Sequence, residues 1–165
     1  MMLKFLLGVA IVALTTFGGY LLAKKYRQRK QFFAQLWEFN ERFLSEIAYY
    51  RRPIREFVAG YAYQGEFNTL LQEFFSGIDE RSPNDRAIFD FPDYTFLTKE
   101  EKNAVEDYFL MLGKGDSVSQ KGYFTAVKDT LSKLQAQSAD ACKRYGDLYI
   151  KIGFLCGLLI LILII

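Results

Sequence analysis

An apolar stretch stands at each end of this chain with one polar segment between them, and that arrangement decides where most of the chain can go before any fold is considered. Ile152 to Ile165 (IGFLCGLLILILII) carries no charge, and neither does Phe5 to Ala23. A helix of about 20 apolar residues crosses a hydrocarbon core of roughly 30 Å, and the first stretch meets that length. Lys24, Lys25, Arg27, Arg29 and Lys30 follow at once, five positive charges in seven residues with no acid among them. Such a cluster marks a cytoplasmic flank, so the amino terminus is expected outside. Lys143, Arg144 and Lys151 precede the second stretch, which puts its entry side in the cytoplasm and the carboxyl terminus outside. The second stretch is the shorter one: Ile152 to Ile165 alone reaches about 21 Å as a helix, and extension back to Leu148 gives about 27 Å. That extension takes in Lys151, whose stem can snorkel its ammonium to the interface, while Tyr145 and Tyr149 fall where aromatic belts lie. The alternatives are a buried core helix or re-entrant piece for the second stretch and a cleaved signal peptide for the first, although the latter lacks a strong basic n-region. The expected organisation is a transmembrane helix over 1–23, a cytoplasmic helical domain over 24–147 and a second transmembrane helix over 148–165.

The polar middle, about 124 residues, suffices for one compact domain and not two. Net charge is only +2, yet Glu66 to Asp107 holds eleven acids against four bases while both membrane-proximal ends are basic. Basic ends beside apolar spans suit the anionic headgroups of membrane lipid. Nothing resembles a nucleic-acid groove, and no nucleic-acid partner is expected. Histidine is absent, which removes imidazole both as a general base and as a metal ligand. The two cysteines, Cys142 and Cys156, fall on the cytoplasmic side and inside the second span, so free thiols are expected rather than a disulfide or a metal site.

Periodicity in the middle is helical almost throughout. Phe32, Leu36, Phe39, Phe43, Ile47 and Tyr50 recur at steps of three and four, with Phe33, Trp37 and Leu44 widening the stripe. Nothing breaks a helix between Ala23 and Arg52, so the first helix is expected to continue until Pro53. A short helix is predicted from about Pro53 to the region of Gly60 to Gly65, and another from Glu66 to Ser76 closed by Gly77. Asp79 to Tyr94, with two prolines, reads as the principal loop. Thr98 and Glu101 form a capping box that opens a helix ending at Gly113, and Ser117 with Gln120 forms a second that opens the last helix. Along that last helix Phe124, Val127, Leu131, Leu134, Ser138, Ala141, Tyr145 and Leu148 make a heptad seam. The fold class expected is all-α: an antiparallel helical bundle of two long helices plus shorter ones, between N- and C-terminal transmembrane helices.

Gly113-Lys114-Gly115-Asp116-Ser117 superficially suggests a phosphate loop, but the spacing is wrong and no strand precedes it, so an interhelical turn accounts for it. Glu46 lies among apolar neighbours on a helix and reads either as a solvated glutamate or as a buried, groove-facing acid. Arg51, Arg52 and Arg55 form a basic patch facing solvent or a partner. No second carboxylate stands at a spacing that would pair with Glu46 for acid–base chemistry, and no nucleophile stands beside a base. No catalytic residue, cofactor site or metal site is expected, and an enzyme is not the reading of this sequence.

Four segments taken together resemble a known family. They are Leu14-Thr15-Thr16-Phe17-Gly18-Gly19-Tyr20 with the basic run behind it, Glu46-Ile47-Ala48-Tyr49 followed by Pro53-Ile54, Leu112 to Gln120 (LGKGDSVSQ), and Ile152 to Leu158 (IGFLCGL). In order, spacing and total length the chain is similar to the stage III sporulation protein AB family of endospore-forming bacteria; the stretch from about Gly60 to Thr95 carries little of the likeness. The resemblance implies an integral protein of the mother-cell membrane around the forespore, a subunit of the stage III sporulation A channel complex. It implies a cytoplasmic domain like the F-type platform proteins of type II secretion and type IV pilus systems, partnered by a secretion-type ATPase, stage III sporulation protein AA. Glu46, Asp116 and Gln120 fall inside the matching segments and are the candidate partner-binding residues, with the loop Asp79 to Tyr94 as a second contact. The competing expectation is a generic two-span membrane adaptor or small channel subunit whose bundle forms a homo-oligomer.

Overall fold

The computed structural model describes residues 2–50, 54–79, 91–112 and 117–164. Its elements are α1 (Met2–Ser45), a π-helical turn (Glu46–Tyr50), α2 (Ile54–Ala59), α3 (Gly65–Asp79), α4 (Lys99–Leu112) and α5 (Ser117–Ile164). The protein is all-α, with no strand among the described residues. The first helix runs without a break as far as Tyr50, but its last turn changes pitch; the stop expected at Pro53 lies outside the described residues. Pro53 has no N–H to offer the carbonyl of Tyr49, and the backbone before it adopts the wider π pattern from Glu46 onward. Gly77 does not close α3, which continues to Asp79. Residues 80–90, most of the predicted loop, lie outside the described residues, as do Arg51, Arg52, Pro53 and residues 113–116, where the sequence predicts an interhelical turn.

The chain divides into two compact units, one formed by residues 31–135 and the other by 1–30 with 136–165. The first is a five-helix bundle around an aromatic core. Phe32, Phe33, Leu36, Phe39 and Phe43 of α1 bury the predicted stripe against Phe57 of α2, Phe67 to Phe74 of α3, Val105 to Leu112 of α4 and Phe124 and Leu131 of α5. Phe39 sits at the hub, its ring 5.6 Å from Phe57, 5.8 Å from each of Phe43, Tyr63 and Phe67, and 6.3 Å from Tyr108. Each favourable edge-on pair adds about 0.5–1.5 kcal/mol beyond area burial, so the rings fix register as well as supply hydrophobic area. Two polar devices pin the connections. Gln35 uses both ends of its amide on Gln64, accepting from the backbone N–H at 2.6 Å and donating to the carbonyl at 2.8 Å, which fastens the segment before α3 to α1. The capping box opens α4 as its sequence predicts: the Thr98 hydroxyl accepts from the Glu101 N–H at 3.3 Å, and the Glu101 carboxylate accepts from the Thr98 N–H at 2.9 Å.

The second unit is an antiparallel pair formed by the apolar ends of α1 and α5. Both helices are long and apolar enough to cross a membrane. Their contact is made by backbones approaching at glycines. A Cβ on Gly19 would lie 2.4 Å from the Tyr149 carbonyl oxygen, one on Gly153 2.5 Å from that of Thr15, and one on Gly157 2.8 Å from the Val12 Cα. Gly8 faces Leu161 further along. The predicted seam stays buried through Phe124, Leu131 and Ser138; its last members Tyr145 and Leu148 are 42% and 44% exposed, although the Tyr145 ring still meets that of Tyr26 on α1 at 5.4 Å. Along this stretch apolar side chains occupy the exposed faces as well as the contact face, so hydrophobicity does not report on packing. Small residues that let backbones meet mark the contact face instead.

Candidate functional site

The polar groups buried against the bundle are the candidates for a site. Glu46 begins the π turn and is only 4% exposed, which decides between the two readings of this residue in favour of the buried acid. Three residues on, Tyr49 is 80% exposed, so within one turn the chain passes from core to open surface. A π turn inserts a residue into the helical count and re-aims the side chains that follow it. In the bundle unit the α1–α5 pairing brings Phe43 against Phe124 at 5.0 Å, and Lys128 ion-pairs with Glu41 at 2.8 Å. One turn onward from Phe43 along α1 is Glu46, and one turn back from Phe124 along α5 is Gln120. The antiparallel register thus carries two of the three candidates to the same end of the helix pair. Gln120 is half-buried in the first turn of α5. Asp116, the third candidate, lies outside the described residues.

A polar network missed in the sequence lies one turn deeper. Asn40, fully buried, donates to the carbonyl of Phe124 at 3.3 Å and accepts from the Tyr108 hydroxyl at 3.2 Å, joining α1, α4 and α5. Burial pushes the Tyr108 hydroxyl well above its ordinary value of 10.0. The signal was present: Asn40 interrupts the apolar face made by Leu36, Phe39 and Phe43, and an amide there must be either exposed or bonded. On the opposite side, Arg42 pairs with Glu38 and lies over the Tyr61 ring at 4.2 Å. A cleft of about 410 Å³ opens between α2 and α3, with Arg55, Tyr61, Tyr63, Asn68 and Gln72 among its walls. Tyr63 owes a raised hydroxyl pKa first to burial, against which the Arg42 guanidinium acts. Among the described residues no group of three or more metal-ligating side chains comes together, and Cys142 and Cys156 are both free thiols.

Two helices of membrane length and an aromatic helical bundle, with a buried acid at a π turn, define an all-helical protein consistent with a membrane protein. The sequence profile of stage III sporulation protein AB matches residues 4–165, and the chain belongs to that family. It is 30% identical over 173 residues to the stage III sporulation protein AB of Bacillus subtilis (strain 168), covering 99% of each chain. No solved structure matches.

Proposed function

We propose that this chain is a non-enzymatic platform subunit of a sporulation channel-secretion complex, anchored in the mother-cell membrane around the forespore. In this role it links a cytoplasmic secretion-type ATPase, stage III sporulation protein AA, to the membrane subunits of the stage III sporulation A complex. The observation that carries the reading is the continuity of α1 and α5. Each is a single helix running from an apolar end into the bundle, α1 over 44 residues and α5 over 48. Helical hydrogen bonding without a break gives a stiff element, so a displacement imposed at the bundle is conducted to the membrane-embedded end. Membership of a sporulation family supports the setting. On this proposal both chain ends lie outside and residues 24–147 in the mother-cell cytoplasm, with a domain like the F-type platform proteins.

The ATPase docks, on this proposal, at the end of the helix pair where Glu46 and Gln120 lie, with Asp116, just before α5 in sequence, as a further contact. Co-purification of the detergent-solubilised full chain with the ATPase is the test, run alongside spore formation in cells carrying the same variants. Asp116→Lys and Gln120→Lys are expected to lose the ATPase and reduce sporulation while the helical spectrum is kept. Glu46→Gln, which keeps shape and removes charge, is expected to weaken the complex less than Glu46→Lys. If all four variants retained the ATPase at the level of the unaltered chain, the docking surface would lie elsewhere. A complex mass that does not change when the ATPase is added to the unaltered chain would instead favour a two-span adaptor whose bundle only self-associates.

A further inference from the structure

The paired apolar ends of α1 and α5 leave an open groove of about 710 Å³ along one side, walled by Val9, Ala13, Phe17 and Tyr20 on α1 and by Phe154 and Leu161 on α5. Its lining is apolar in effect: of the two hydroxyl-bearing side chains in its wall, Thr16 is committed to the Val12 carbonyl at 2.7 Å and Tyr20 stands at one end. From Val9 to Tyr20 the groove follows α1 for roughly 16 Å, the depth of one leaflet in a hydrocarbon core of about 30 Å. The Tyr20 end is the charged one. Arg27 lies over the Tyr20 ring at 5.7 Å, and Lys24, between them at helical spacing on the same face of α1, is exposed as Arg27 is. At the far end Val9 and Leu161 stand among apolar residues, the nearest charged side chain in sequence being the single Lys4, five residues before Val9.

We infer that this groove is a binding site for an anionic phospholipid, one acyl chain lying between α1 and α5 and the headgroup phosphate held by Lys24 and Arg27. An apolar trough one leaflet deep that ends in two cations matches the charge and length of such a molecule. A neutral lipid satisfies only the trough, and a helix from a second copy leaves the cations unused. The inference rests on α1 and α5 lying in a membrane, a condition checked separately by whether the chain resists alkaline carbonate extraction. The test is native mass spectrometry of the detergent-solubilised full chain with added phosphatidylglycerol or phosphatidylcholine. Phosphatidylglycerol is expected to be retained preferentially, with selectivity falling about fivefold for each of Lys24→Gln and Arg27→Gln, since each basic residue near a membrane surface contributes on that order. Lys25→Gln with Lys30→Gln removes as much charge off the groove line and should leave selectivity unchanged. Ala13→Leu fills the trough and should reduce retention of both lipids. Equal retention of the two lipids by a chain that resists extraction overturns the site while leaving the membrane reading intact. Selectivity lost equally in the Lys25/Lys30 control overturns it in favour of diffuse attraction. Disulfide-linked dimers through Ala13→Cys would show a second copy in the groove instead.

Discussion

At the scale of single residues, Asn40 and Tyr108 show how one buried amide fixes three helices. Removing Asn40 breaks both of its bonds and leaves the Tyr108 hydroxyl buried without its acceptor, whereas Tyr108→Phe breaks one bond and leaves only the Asn40 Oδ1 without a donor. Each buried group left unpaired costs about 1–3 kcal/mol, and the second Asn40 bond adds about 0.5–1.5 kcal/mol to the first variant. Thermal unfolding of the full chain in detergent is therefore expected to rank Asn40→Ala below Tyr108→Phe. The same hydroxyl predicts a pH response. Its folded pKa is raised by burial above the unfolded value of 10.0, so its contribution is fully present below that pH. Above it the unfolded chain releases a proton that the folded chain keeps, and stability falls as pH rises. Tyr94, also raised by burial and by the neighbouring Glu73 and Glu66, adds to the same slope. Tyr108→Phe should flatten the alkaline decline measured by denaturant midpoint. An unchanged slope would mean that Tyr108 does not drive it.

At the scale of elements, adjacent glycines on α1 separate backbone packing from helix propensity. A Cβ at Gly19 would meet the Tyr149 backbone at 2.4 Å, while one at Gly18 meets nothing within 4 Å. Gly19→Ala must push α1 and α5 apart or lose their contact, at a cost of about 1–3 kcal/mol. Gly18→Ala gains helix propensity of up to about 1 kcal/mol and disturbs no neighbour. Melting temperatures of the two variants in one detergent should move in opposite directions. A matching fall in both would show that the glycine-mediated approach does not hold the pair. The helix starts and stops were largely legible beforehand because caps and prolines act locally: Thr98 and Glu101 bracket the start of α4, and α5 begins at Ser117. The end of α3 was not, since Gly77 permits a helix to end without requiring it.

At the scale of the whole molecule, the topology proposed for the two spans is open to chemical labelling. Cys142 is half-buried on α5 before the apolar end, and Cys156 lies within that end. In sealed vesicles of defined orientation, a membrane-impermeant maleimide should reach Cys142 from the cytoplasmic face alone and should leave Cys156 unmodified until detergent is added. Labelling of Cys142 from the outer face would invert the orientation derived from the basic cluster Lys24 to Lys30. Labelling of Cys156 in intact vesicles would remove the second span.

The sequence by itself determined the all-helical class, the two membrane-length apolar ends and the α1 stripe that feeds the core, because periodicity, charge and solvent preference are properties of short stretches. It also held the family likeness, carried by segments at both ends and in the middle. Only the tertiary structure decided that Glu46 is buried rather than solvated, since a glutamate on a helix meets water or core according to what packs opposite it. It also decided that Asn40 ties α1 to α4 and α5, a matter of partners 68 and 84 positions away along the chain. The face on which the apolar ends meet was set there too, by the shape of backbones at Gly19, Gly153 and Gly157, because among uniformly greasy side chains hydrophobicity carries no direction.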